Sequence, residues 1–226
     1  FRSVFSAIKK SRPDEIYYLA GQSSVGLSFE QPAETIQSIT VGTLNILEGC
    51  RMMDKKIRIY HAGSGECFGD TYGAPANEKT PFNPMSPYAV AKSSAYWLVN
   101  NYRDAYGIFA CTGILFNHES PLRSSRFVTQ KIIRAVKSIA NGGSEKLKLG
   151  RLDVSRDWGW APEYVEAMWL MLQQENPNDF VVATGVPITL EDFVRGAFEC
   201  AGFDWKDHVI QDVNLFRQSE AKISFG

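Results

Sequence analysis

The sequence predicts an α/β fold: a doubly wound, mostly parallel sheet with helices on both faces, joined to a smaller C-terminal lobe. Three observations carry this. Short apolar runs of strand length alternate with stretches whose apolar residues recur at helical spacing, the βα alternation of parallel sheets. Glycine- and serine-rich loops follow the apolar runs, where ligands of open parallel sheets sit. With 226 residues and 44% hydrophobic side chains, the chain can bury a sizeable core.

Taken in order, Phe1, Val4, Phe5 and Ile8 recur at helical spacing, and Ser11-Arg12-Pro13-Asp14 stops that helix. Residues 15–20 form a strand and 21–24 the loop beyond it. Ile36, Ile39, Thr43, Ile46 and Leu47 mark the next helix, and 57–62 a short buried strand running into Gly63-Ser64-Gly65-Glu66. A helix over 86–106, a strand over 109–116 and a helix over 128–140 continue the alternation. From Asn141-Gly142-Gly143 onward strands shorten (147–149, 180–183) and Trp158, Trp160, Trp169 and Trp205 accumulate, Trp169 being expected in the core. Residues 176–179 read as a turn. Residues 1–140 are therefore assigned to a nucleotide-binding part and 141–226 mainly to a substrate lobe interleaved with the main sheet.

The net charge of −1 and the lack of a Lys/Arg block argue against nucleic acid, and no apolar run approaches the ~20 residues of a membrane span. Cys50, Cys67, Cys111 and Cys200 show no CxxC pairing and read as reduced and buried, as in a cytoplasmic protein. His61, His118 and His208 are too scattered for a metal site, so none is expected.

The chemistry centres on Ser86-Pro87-Tyr88-Ala89-Val90-Ala91-Lys92. Ser-Pro starts a helix, so Tyr88 and Lys92 lie one turn apart on the same side. A fixed ammonium favours the phenolate and would turn Tyr88 into a base usable near neutral pH. The loop after the 57–62 strand places Ser64 and Glu66 to meet Tyr88.

At these residues the sequence resembles the extended short-chain dehydrogenase/reductases. It further resembles the GDP-mannose 4,6-dehydratases through Thr80-Pro81-Phe82, Ser86-Pro87-Tyr88, 113–121, Phe127-Val128-Thr129 with Lys131-Ile132, 156–159, 164–169 and Ala183-Thr184-Gly185, in the family's order. The resemblance implies a Rossmann-like fold and dehydration of GDP-mannose, or a similar nucleotide sugar, to a 4-keto-6-deoxy sugar with NADP. It makes Ser64, Glu66, Tyr88 and Lys92 catalytic: Tyr88 takes the O4 proton with Ser64 sharing that oxygen, and Glu66 serves as acid/base between C5 and the departing C6 hydroxyl. It assigns Leu19, Ala20, Gly21, Gln22, Ser23, Tyr88, Lys92, His118 and Arg123 to the cofactor, and Asn117, Val128, Lys131, Arg156, Arg217 and Glu220 to the nucleotide sugar. It also implies a homodimer or homotetramer through helices near 36–50 and 86–106. An epimerase or dehydratase for another sugar, and a non-catalytic nucleotide-binding homologue, remain alternatives.

Two departures stand out. Gly65 replaces a residue that bears a hydroxyl in the family and is expected to loosen the loop. The glycine-rich phosphate loop of the family is absent; by the resemblance an N-terminal βαβ part, on the order of two βα units at ~30 residues each, is missing, as in a piece of a longer protein or in a truncated relative.

Overall fold

The computed structural model describes residues 1–216 and 221–226. Helix α1 (Arg2–Ser11) sinks Ile8 into the core and ends where Arg12 turns left-handed, φ 44°. Strand β1 (Glu15–Tyr18) leads to α2 (Val25–Glu30), a short helix without a periodic signature, capped by the Ser24 hydroxyl accepting from the Leu27 N–H at 3.2 Å. Next, α3 (Pro32–Ile36), a π turn (Gln37–Val41) and α4 (Gly42–Arg51) run on as one helical stretch. The Tyr18 hydroxyl donates to the Ser38 carbonyl in that turn at 3.0 Å. A Cβ on Gly42 would lie 2.0 Å from that hydroxyl oxygen, so glycine lets helix and strand approach.

After β2 (Arg58–Ala62), a 3-10 turn (Gly65–Phe68) leads on to α5 (Pro87–Tyr106). Ser86 caps α5 by accepting from the Ala89 N–H at 3.1 Å, and Gly107 closes it at φ 64°. Strands β3 (Ala110–Leu115) and β4 (Asn117–Glu119), helix α6 (Val128–Ala140), strands β5 (Leu147–Leu149) and β6 (Ser155–Trp160) and helix α7 (Ala161–Gln173) follow. The chain then passes through β7 (Phe180–Val182), β8 (Pro187–Thr189), α8 (Leu190–Glu199), β9 (Val209–Gln211) and β10 (Ile223–Ser224).

The main sheet has the order β1-β2-β3-β7, all parallel. One face carries α1, α4 and α5, packing Ile8, Leu47, Val99 and Tyr102 on Ile57, Ile59 and Ala110. The other carries α7, whose Tyr164, Met168, Met171 and Leu172 cover Tyr60, Ala62, Cys111 and Leu115. This doubly wound architecture matches the sequence expectation. A second sheet runs β10-β6-β4 with β8 antiparallel on β6, and β5 pairs with β9. Helices α6 and α8 share a core there around Ile132, Val136, Leu149, Val194 and Phe198. The two sheets are tied by Asp157, fully buried, whose carboxylate accepts from the Thr184 N–H and hydroxyl and the Gly185 N–H just beyond β7.

Two expectations fail. Trp169 is 52% exposed rather than core, because it sits one position, about 100° of helix, beyond the inward-facing Met168. Cys200 is exposed at the C-terminal cap of α8, whereas Cys50, Cys67 and Cys111 are buried and all four are free thiols.

Candidate active site

A cavity of about 550 Å³ opens at the carboxyl ends of β2 and β3, between the main sheet and the lobe. Ser64 enters it at the N-terminus of the 3-10 turn, where its hydroxyl oxygen accepts from the Glu66 N–H at 3.3 Å. That turn presents the Glu66 side chain to the same space, and α5 contributes Tyr88 and Lys92. The Ser64 hydroxyl lies near the Tyr88 phenol and favours its ionised form. The four residues singled out for chemistry thus line one cavity.

The electrostatics differ from the expectation. Burial pushes the Tyr88 phenol well above the usual tyrosine range; the Ser64 hydroxyl and the Arg123 charge act in the opposite direction, while Cys67 and Glu66 add to the rise. Burial also draws Lys92 down to about 8. Its Nζ donates to the Ala62 carbonyl at 2.8 Å and lies 5.8 Å from the Tyr88 ring centroid. The i,i+4 spacing therefore brings the two together, but desolvation, not the lysine, dominates the phenol's proton affinity.

Gly65 is buried, and the Phe116 ring fills the place of its missing side chain: a Cβ there would meet ring carbons at 2.9–3.0 Å. The turn is packed where loosening was expected. Phe116 in turn stacks on Phe68, ring centroids 6.2 Å apart.

Of the loop assigned to a cofactor, Leu19, Gly21 and Ser23 line the cavity. Ala20 does not border it, and the Gln22 side chain turns away to the Ser24 carbonyl and the Thr35 hydroxyl. His118 lines it with its Nδ1 2.9 Å from the Phe116 carbonyl oxygen and its ring stacked on Tyr164; burial lowers its pKa. Arg123, Asn117, Val128, Lys131 and Arg156 complete the set of described candidates at the cavity. Lys131 Nζ reaches the Lys148 carbonyl at 2.6 Å, and Arg156 donates to the Ser155 and Ala221 carbonyls. Arg217 and Glu220 lie outside the described residues.

Sequence reasoning missed Arg126, Arg151 and Trp158, which also face this cavity. Arg126 directly precedes the Phe127-Val128-Thr129 run, and that adjacency was the available signal. Arg151 and Trp158 come from the lobe, whose folding against β4 no local pattern announces. Among the described residues no group of three or more His, Cys, Asp or Glu could hold a metal ion, and no helix is long and apolar enough to cross a membrane.

Comparison with known proteins agrees with this geometry. GDP-mannose 4,6 dehydratase 1 of Arabidopsis thaliana is 51% identical over 213 residues, 92% of this chain and 59% of the relative. GDP-mannose 4,6-dehydratase of Sinorhizobium fredii is 50% identical over 214 residues, 93% of this chain and 61% of the relative. The chain therefore spans about three-fifths of the length of these curated relatives. In structure it is similar to RMD from Pseudomonas aeruginosa complexed with NADPH, with TM-score 0.86 and 26% identity, covering 95% of this chain and 72% of that one. The family model for GDP-mannose 4,6 dehydratase matches residues 1–225, nearly every position described above. The chain belongs to the GDP-mannose 4,6-dehydratase family.

Proposed function

We propose that the full-length protein dehydrates GDP-mannose to GDP-4-keto-6-deoxymannose with NADP as resident cofactor. The observation that carries this reading is the meeting of a buried phenol, a hydroxyl, an ammonium and a carboxylate on one cavity in a chain of this family.

The residues present fit the ribose and nicotinamide end of such a cofactor. Lys92 uses one of its three N–H groups on the Ala62 carbonyl, which leaves donors for ribose hydroxyls. Gly21, at φ 139° with a Cβ excluded by Ile39 at 2.9 Å, lets the backbone of the 19–23 loop come close to a ligand. Leu19, Gly21, Ser23, Tyr88, Lys92, His118 and Arg123 would hold the group, with Ala20 and Gln22 shaping the loop behind them. When bound, NADP supplies a hydride acceptor and donor. The RMD relative's NADPH supports that choice.

Around it the chain's own residues handle protons. Tyr88 accepts the proton of the sugar O4, with the Ser64 hydroxyl hydrogen-bonding the same oxygen. Glu66, lining the same cavity, withdraws the C5 proton made acidic by the neighbouring ketone and protonates the C6 hydroxyl as it leaves. Lys131 and Arg156 offer the paired cations a diphosphate requires, with Asn117 and Val128 beside them and Arg217 and Glu220 at the matching family positions. Residues 1–140 then serve mainly the cofactor, and 141–226 mainly the nucleotide sugar.

The test is incubation of the full-length protein with GDP-mannose and NADP⁺, following loss of water by mass spectrometry. Product formation is expected; GDP binding without product overturns the reading in favour of a non-catalytic homologue. Glu66→Gln should still permit oxidation at C4 while blocking loss of water.

The same reading includes a cytoplasmic homodimer or homotetramer. Ile36, Val41, Val90 and Trp97 stand exposed on α3, the π turn and α5, and would be covered by a second copy. Light scattering should give a multiple of the monomer mass, reduced in Trp97→Glu.

A further inference from the structure

The connection between β4 and α6 holds an arginine in an unusual way. Residues 120–127 fold into two turns, closed by the Arg123 N–H on the Ser120 carbonyl at 3.0 Å and the Phe127 N–H on the Ser124 carbonyl at 3.1 Å. Gln130 Nε2 anchors the first turn by donating to the Ser120 carbonyl at 3.0 Å. The Arg123 guanidinium lies over the Phe127 ring, Cζ 3.6 Å from its centroid. Its Nε is 3.4 Å from Glu119 Oε2, an ion pair without hydrogen-bond geometry. That Nε is buried and lacks a hydrogen-bond partner among the described residues. Glu119 Oε2 is fixed in turn by the hydroxyl of Thr129, itself 4% exposed, at 2.8 Å. Glu119, Arg123 and Phe127 all line the cavity that Tyr88 faces.

We propose that Glu119, steadied by Thr129, acts with Phe127 to position the Arg123 guanidinium as a fixed positive charge in the cavity that Tyr88 lines. A guanidinium stacked on a ring and paired with a carboxylate has few orientations left. The groups around Tyr88 make this placement consequential. From the 3-10 turn it meets Ser64, Glu66 and Cys67, and from its own helix Lys92, whose ammonium is turned to the Ala62 carbonyl. Burial chiefly opposes the phenolate, with Cys67 and Glu66 adding to it; the Ser64 hydroxyl and the Arg123 charge favour it. Burial is the main reason that His118 disfavours a proton, and the Arg123 charge adds to it while the Phe116 carbonyl and Glu119 oppose it.

The proposal rests on the dehydratase reading, so its test has two arms on the full-length protein. In the first, kcat/KM for GDP-mannose is measured against pH in Arg123→Met, Glu119→Gln and Arg123→Lys. The acidic limb should move up by about half to one pH unit in Arg123→Met, a roughly three- to tenfold loss on the acid side that recovers in alkali, and by less in Glu119→Gln, where loss of the carboxylate's own charge partly offsets the misplaced guanidinium; Arg123→Lys should restore most of it. A purely structural role would lower the whole profile without moving the limb. The second arm needs no turnover: the ¹H–¹⁵N resonance of Arg123 Nε, assigned with Arg123→Lys, should exchange with water at least about tenfold faster in Glu119→Gln. Thr129→Val gives the same comparison if that variant does not fold. A limb that stays in place, or an exchange rate that does not change, overturns the proposal. Lack of product from the wild type defeats the dehydratase reading alone, and the exchange measurement then decides the positioning of Arg123.

Discussion

The two walls of the cavity hold their side chains in different ways. On the sheet side Ser64, Tyr88 and Lys92 are 8%, 9% and 7% exposed, each fixed by a cap, a first helical turn or a backbone carbonyl. On the lobe side Lys131 and Arg151, rooted on α6 and on the loop after β5, are long cations only partly buried, Lys131 donating to the Lys148 carbonyl and Arg151 pairing with Asp153. The difference follows from what each wall is asked to do. Moving a proton requires atoms held to a fraction of an ångström, which only buried, hydrogen-bonded groups on regular elements provide. Gripping a diphosphate requires charge, which acts across a few ångströms and tolerates a mobile stem.

The comparison can be broken most severely at Tyr88. Tyr88→Phe should cut kcat by about a thousandfold with little change in KM, the scale of lost acid/base catalysis; a loss under tenfold would mean that the sheet wall is not the chemical one. Phe198→Ala, in the lobe core, should lower unfolding free energy by about 3 kcal/mol in denaturant titration while leaving kcat per folded molecule intact. Lys92→Met should do the reverse, abolishing turnover yet stabilising the fold by about 1–2 kcal/mol at pH 7. The sign follows from burial: the folded ammonium titrates at about 8, below its unfolded value, so its charge burdens the native state below pH 8. Wild-type stability should therefore climb as pH rises from about 8 towards 10.5, and the advantage of the variant should shrink over that window in pH-dependent melts. The smallest effect belongs to the lobe wall: Lys131→Ala should raise KM about tenfold at unchanged kcat, and a fall in kcat instead would erase the distinction between the walls.

How far the sequence reached follows the same division. Helix α5 was legible because Ser86, Pro87 and Gly107 punctuate it locally, and α6 because its apolar period is regular from Val128 to Ala140. The main sheet followed from strand-length apolar runs. What was hidden depends on contacts distant in sequence. The π turn answers to Tyr18, which reaches the Ser38 carbonyl from a different element. The orientation of Trp169 depends on which side of α7 meets the sheet. The proton affinity of Tyr88 is set by burial, which no i,i+4 spacing reports. Asp179, read only as part of a turn, is a deeply placed acid gripped by both Arg103 nitrogens and the Thr112 N–H. In the lobe, strands two to six residues long carry too little pattern to reveal their partners.

The ring of Phe116 lying where a side chain at position 65 would be has an evolutionary consequence. A descendant that regained a hydroxyl there would need the ring to give way by a few tenths of an ångström, since a Cβ at position 65 would stand 2.9–3.0 Å from its carbons. The turn that carries Ser64 and Glu66 and the end of β3 are mechanically linked, so a change in size at either is felt at the other.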